Sequence, residues 1–144
     1  MKSQANLVII GAGIVGASAA YHLTQLGWRD IVVVDQGPLF KTGGSTSHAP
    51  GLVFQTNGSK TMCEFAQYTV KLLNKLHTDE HPVFYPVGGI EVAYTDERWQ
   101  DLHRRHGWAT SYGLESTLIN PDEVQEHIPI LDPSVIKGGF YVPS

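Results

Sequence analysis

Three features of residues 7–35 predict an α/β fold that opens with a strand–helix–strand unit. Leu7-Val8-Ile9-Ile10 is a continuous apolar run stopped by Gly11, the pattern of a strand buried on both faces of a parallel sheet. Ala12–Leu26 places apolar or small residues at Ile14, Ala17, Ala20 (or Tyr21) and Leu23, a helical spacing. Gly27 follows where glycine commonly ends a helix. Ile31–Val34 is a second apolar strand, β-branched throughout, with Asp35 at its carboxyl end. Such a unit is expected to close with a right-handed crossover.

The remaining elements are more mixed. Gly43-Gly44-Ser45-Thr46-Ser47-His48-Ala49-Pro50-Gly51 is too long for a simple turn, and loops of this kind are more often functional than idle. A second helix is predicted with Ser59 as N-cap and Met62, Phe65, Ala66, Val70, Leu73 and Leu76 along one side, ending before Pro82. Val83–Thr95 reads as extended chain around Gly88-Gly89, with Val87, Ile90 and Val92 as its apolar residues. Thr95 or Asp96 caps a further helix through about His106, with Trp99, Leu102 and His103 on one stripe. Asn120-Pro121-Asp122-Glu123 is a helix start with N-cap, first-position proline and a capping-box glutamate. Gly138–Val142 reads as a strand. The expected organisation is a dinucleotide-binding portion over 1–82 and the incomplete beginning of an α+β second domain over 83–144. Only two clear parallel strands appear, so the sequence is expected to be a piece of a larger protein.

Composition excludes several function classes. The chain has 144 residues, is 42% hydrophobic, and carries a formal charge of −4 with ten scattered Lys and Arg. A nucleic-acid binder needs a clustered basic face, which is absent. Cys63 is the only cysteine, so no intrachain disulfide forms, and none of the seven histidines shows zinc-site spacing. The Leu7–Ile10 run is too short for a secretory signal core, and nothing approaches the ~18 apolar residues that span a bilayer. The expected setting is cytoplasmic, without a membrane or nucleic-acid partner.

Gly11-Ala12-Gly13-Ile14-Val15-Gly16 is a G-x-G-x-x-G run between a predicted strand and a predicted helix, the context that makes this motif a dinucleotide site of the Rossmann type. Gly11 permits the tight turn, Gly13 leaves room for a pyrophosphate, and Gly16 lets the helix pack close to the sheet. The pyrophosphate would rest on free N–H groups at the helix N-terminus. Asp35, roughly 20 residues beyond the glycines, would accept from a ribose hydroxyl and repel a 2′-phosphate. These residues alone leave FAD and NAD open, and a non-catalytic dinucleotide-binding module as well. Ala20, Leu23 and Gly27 extend the run in a way that resembles FAD-binding proteins of the glutathione reductase and D-amino acid oxidase type.

Gly44-Ser45-Thr46-Ser47-His48-Ala49-Pro50-Gly51 resembles the flavin-attachment loop of the dimethylglycine and sarcosine dehydrogenase and oxidase family. The similarity continues through Leu52–Asn57 and Ser59–Met62, and includes Asp35–Leu39 and Val87–Ala93. It implies FAD bonded covalently through His48, with Gln36, Gly44, Ser45, Thr46, Ser47, Gly51 and Leu52 joining the glycine run and Asp35 around the cofactor. It also implies oxidation of an N-methyl amino acid, with Ser47 and Pro50 placing N,N-dimethylglycine ahead of sarcosine. Tetrahydrofolate as a one-carbon trap, and oxygen or an electron-transfer protein as acceptor, are implied for the full-length relatives. No catalytic residue is assigned within these 144 residues. A neutral imidazole, with its ordinary pKa near 6.5, is a competent nucleophile at neutral pH. The remaining histidines are expected to be structural, His103 and His106 on a helix face, and Trp28, Trp99 and Trp108 to be packing groups.

Overall fold

The computed structural model describes residues 3–38 and 43–144. Leu39, the last residue of the Asp35–Leu39 segment, lies outside the described residues. The chain divides into two compact units, Met1–Leu52 and Val53–Ser144.

In the first unit, strand β1 (Leu7–Ile10), helix α1 (Ile14–Gln25) and strand β2 (Ile31–Val34) follow in order. β1 and β2 pair in parallel, with Leu7 opposite Ile31 and Ile10 opposite Val34. Helix α1 ends at Leu26, and Gly27 takes the left-handed conformation at φ +90°. A side chain at Gly16 would begin 3.3 Å from the Ile9 Cγ2, so α1 lies against the Leu7/Ile9 face of the sheet. Strand alternation then turns Val8 and Ile10 the other way, and they stand 54% and 87% exposed. Within this chain α1 covers one side of the strand pair. Residues 45–48 form a single 3-10 turn, Ser45–His48, inside the stretch expected to be a loop.

The second unit begins with helix α2 (Lys60–Leu73), three residues shorter at its end than a stripe reaching Leu76 requires. Ser59 is its N-cap by position, but the Ser59 side chain makes no cap bond. Instead the Asn57 side chain accepts from Ser59 N–H at 2.9 Å. The buried stripe is also rotated from expectation. Cys63 and Val70 are buried, while Met62 and Phe65 are 52% and 62% exposed. A helix must turn its best-fitting face to its neighbours, and small Cys63 fits where Phe65 would not.

Strands β3 (Gly89–Ala93), β4 (Thr117–Ile119) and β5 (Gly138–Val142) form an antiparallel sheet with β5 in the centre. Within Val83–Thr95, regular strand is confined to Gly89–Ala93. Helix α3 (Asp96–Ser111) starts at Thr95, whose hydroxyl accepts from Arg98 N–H, and runs past His106 and Gly107. It packs Leu102 and Ala109 against Phe140, Val142, Ala93, Cys63 and Leu114 on one face of the sheet. On the other face Ile119, Val124 and Ile136 gather with Ile90, Val92 and Tyr141. Val124 comes from helix α4 (Pro121–His127). A Cβ at Gly139 would meet Val124 at 2.8 Å, so this position admits no side chain.

Helix α4 opens with a complete capping box. The Asn120 side chain accepts from Asp122 and Glu123 N–H at 3.0 Å each, and the Glu123 carboxylate accepts from Asn120 N–H at 2.7 Å. Among the predicted packing tryptophans, Trp99 stacks edge-on with His103 and lies over Gly138, whereas Trp28 and Trp108 are nearly half exposed. His106 bonds the Ser116 hydroxyl at 2.9 Å.

Cys63 ties α2 to the same cluster as β5 and α3. Compactness thus divides the chain after Leu52, and residues 53–82 belong to the same unit as residues 83–144.

Candidate functional site

The first unit's site is built from backbone. Gly11 joins β1 to α1 with φ +103°, a conformation open to glycine and strained for other residues. Gly11 N–H donates to the Val34 carbonyl at 2.7 Å, which holds the turn beside the end of β2. Gly16 is buried, and a Cβ there would sit 1.9 Å from the Gly11 carbonyl oxygen. The third glycine is thus required by contact with the first.

Asp35 sits just past β2 and reaches back across the turn. Its carboxylate accepts from Ala12 N–H at 2.7 Å and from Gly37 N–H at 2.9 Å. The Ala12 bond, with those from Gly37 and Gln36, holds the Asp35 carboxyl below its ordinary value against a smaller opposing effect of desolvation. Asp35 is therefore ionised at neutral pH, and each carboxylate oxygen keeps a further lone pair for a hydroxyl.

Ser45–His48 approaches the same turn. The Thr46 hydroxyl oxygen accepts from Ile14 N–H, the first residue of α1, at 3.0 Å. Within the turn the Gly44 carbonyl is a hub. It accepts from Ser47 N–H at 3.0 Å and from the Ser47 hydroxyl at 2.7 Å, and lies 3.0 Å from His48 Nδ1. A carbonyl only accepts, so that contact places the ring proton on Nδ1, and the Nε2 lone pair meets no donor among the described residues.

An open cleft of about 440 Å³ is lined by Ile10, Gly11, Gly13, Val34, Asp35, Gln36, Gly44, Ser45 and Thr46. Seven of the fifteen residues expected around a cofactor line it: Gly11, Gly13, Asp35, Gln36, Gly44, Ser45 and Thr46. The other eight do not line it. Ala12 and Ile14 hold Asp35 and Thr46 through their N–H groups. Gly16 lies beneath the turn, while Val15 and Leu52 are 81% and 70% exposed. Ser47 and His48 fold onto Gly44, and Gly51 takes φ +75° just beyond. Sequence reasoning missed Ile10 and Val34. As the last residues of two adjacent parallel strands, they had to border any cleft at the carboxyl ends.

These residues fit a dinucleotide. The cleft sits at the N-terminus of α1, whose N-cap Gly13 has no side chain to cap the first N–H groups, and a helix start leaves such groups free. The Thr46 proton likewise has no acceptor among the described residues. A phosphate would find donors there, and a ribose hydroxyl would find the ionised Asp35.

The fold and cleft define a dinucleotide-binding protein. A family model described as FAD dependent oxidoreductase (DAO) matches residues 6–144, and the chain belongs to that family. It is 35% identical over 145 residues to the mitochondrial pyruvate dehydrogenase phosphatase regulatory subunit of Mus musculus. It is also 35% identical over 147 residues to the mitochondrial dimethylglycine dehydrogenase of Homo sapiens. Each match covers 99% of this chain and 16% of the relative, so the chain spans about one sixth of the length of these curated relatives. Among solved structures, L-proline dehydrogenase from P. horikoshii superimposes with a TM-score of 0.87 at 26% identity, over 99% of this chain and 37% of that one. Among the described residues, no helix is long and apolar enough to cross a membrane.

Proposed function

We propose that this chain is a flavin-binding part of an enzyme that oxidises N-methyl amino acids, N,N-dimethylglycine first, with FAD bonded to His48. The observation that supports this reading is the Ser45–His48 turn: Ser45 and Thr46 line the cleft, and His48, two residues on, has no partner at Nε2 among the described residues. Its similarity to a dimethylglycine dehydrogenase over 99% of its length supports the substrate class, and membership of an FAD dependent family favours FAD over NAD.

In this reading the residues divide the work. Gly11, Gly13 and the α1 N-terminus receive the pyrophosphate, and Ala12, Ile14, Val15 and Gly16 shape that terminus. Asp35, with Gln36 beside it, takes the ribose. Gly44, Ser45, Thr46 and Ser47 place His48, and Gly51 and Leu52 carry the chain on past it. FAD, when bound, supplies the acceptor for a hydride from the substrate carbon. The cytoplasmic setting, the folate trap, and oxygen or an electron-transfer protein as final acceptor belong to this proposal for the whole protein.

Acid precipitation of the whole protein tests the attachment. Flavin should stay in the pellet for the wild type and move to the supernatant for His48→Ala, and covalent flavin in that variant would remove His48 from its role. Adding N,N-dimethylglycine without oxygen should bleach the bound flavin. A second reading comes from the equally similar phosphatase regulatory subunit: a non-catalytic module. It predicts bound dinucleotide whose colour N-methyl amino acids leave unchanged.

A further inference from the structure

We propose that Thr46 is the positioning residue that couples dinucleotide binding to attachment at His48, an inference that rests on the covalent-flavin reading above. Thr46 lies in the 3-10 turn, two residues before His48. The other hydrogen bonds of Ser47 and His48 close on Gly44 and so hold the turn only to itself. The bond from Ile14 N–H to the Thr46 hydroxyl is, among the described residues, the hydrogen bond that joins this turn to the glycine turn, across a separation of 32 residues. A single 3-10 turn has poor hydrogen-bond geometry and little stability of its own. Its place beside α1 therefore hangs on Thr46.

Thr46 also lines the cleft, and its proton has no acceptor among the described residues. A phosphate oxygen entering the cleft would meet a hydroxyl whose oxygen is already engaged by a helix N–H. That hydroxyl then donates outward, and the chain from N–H to hydroxyl to phosphate is mutually reinforcing. Occupancy of the phosphate position tightens the grip of α1 on the turn, and the Gly44 contact fixes the His48 ring within that turn. His48 Nε2 is thereby held in one place while the bond forms. Joining Nε2 to the flavin 8α carbon breaks one methyl C–H bond, and the alkylated ring then releases its Nδ1 proton, so that one C–H and one N–H bond are lost in all. The two hydrogens, with their electrons, pass to dioxygen as hydrogen peroxide.

Thr46→Val keeps the shape and removes the hydroxyl, whereas Thr46→Ser keeps the hydroxyl. The whole protein, produced flavin-free, is mixed with saturating FAD under air. Covalent flavin is followed in acid pellets and total bound flavin by absorbance. Thr46→Val should attach flavin at least about tenfold more slowly, the scale on which small misplacements act. Its FAD affinity should fall by a smaller factor, and Thr46→Ser should attach at close to the wild-type rate. Amide exchange of the flavin-free protein should show Ile14 and residues 43–51 exchanging faster in Thr46→Val than in Thr46→Ser. Equal attachment rates in Thr46→Val and wild type overturn the coupling, as does a serine variant as slow as valine. A loss of binding that matches the loss of attachment makes Thr46 a phosphate ligand alone and also overturns it. Wild-type protein that binds FAD without ever bonding it brings down the covalent reading, and the coupling with it.

Discussion

The two units of this chain are held together in different ways. Every fully buried hydrophobic side chain among the described residues lies in the second unit, from Cys63 to Val142. In the first unit the one buried residue described is Gly16. The second unit is a side-chain structure, with Phe140 and Leu102 at 0% exposure in its centre. The first is a backbone structure, in which two glycines, a carboxylate and a threonine hydroxyl fix where N–H groups point. A phosphate site needs unsatisfied donors at the surface. Substitutions should divide accordingly, costing global stability in the second unit and ligand binding in the first.

The largest effect should come from Phe140→Ala. Phe140 is fully buried among Leu102, Ala109, Cys63 and Val142. Phe-to-Ala changes in such places cost about 3–5 kcal/mol through lost transfer energy and the cavity left behind. Denaturant unfolding should show that loss, and a cost below about 1 kcal/mol would mean the second unit is not organised around this residue. Gly16→Ala should act on the first unit instead. The added carbon would fall on the Gly11 carbonyl, which is backbone and cannot rotate away. Overpacking costs typically ~1–3 kcal/mol. At the upper end of that range FAD affinity falls about 100-fold. Unchanged FAD affinity would break the claim that the glycine turn is set by this contact.

The same difference between the units decides which elements were legible in the sequence. β1, β2 and the Gly11–Gly16 turn were readable because each is dictated locally, by β-branched runs and by conformations other residues resist. The Asn120 capping box was readable for the same reason, since all its atoms come from four consecutive residues. The rotated face of α2 was not, because burial of Cys63 rather than Phe65 is decided by Phe140 and Leu102, far along the chain. β4 was missed altogether: a three-residue strand, Thr117–Ile119, has too little pattern, and pairing with β5 defines it. At the site, the residue types in 44–48 pointed to the chemistry. The bond from Thr46 to Ile14 is a long-range fact that no local pattern encodes.

A smaller effect is expected where the second unit relies on a local device. Asn120→Ala removes an acceptor for two N–H groups and leaves Glu123 with half of its reciprocal box. Loss of such an N-cap costs about 1 kcal/mol, and Asn120→Asp or Asn120→Ser should recover most of it. Because α4 supplies Val124 to the inner face of the sheet, the loss should appear in global unfolding and leave FAD affinity unchanged. A variant that loses FAD in proportion would erase the distinction between the units.

The smallest effect concerns acid. Asp35 is exposed, and its carboxyl is held below the ordinary range by Ala12 N–H, then by Gly37 and Gln36 N–H. A group whose folded pKa is depressed adds stability that is fully present above its unfolded value and disappears as pH falls through the folded one. Protonation therefore loosens the Ala12 contact, and with it the turn that borders the cleft, only in strongly acidic solution. FAD retention followed from pH 7 downward should stay flat through the ranges in which histidines and ordinary carboxylates titrate and fall only below them. In Asp35→Asn the affinity should be lower at neutral pH, because the ribose acceptor is weaker and an amide carries no charge to attract the Ala12 and Gly37 N–H groups. The same acidic decline should be shallower in that variant. An unaltered acid profile would move the titrating group elsewhere, and a decline centred near pH 6.5 would point to a histidine rather than to the carboxylate at the end of β2.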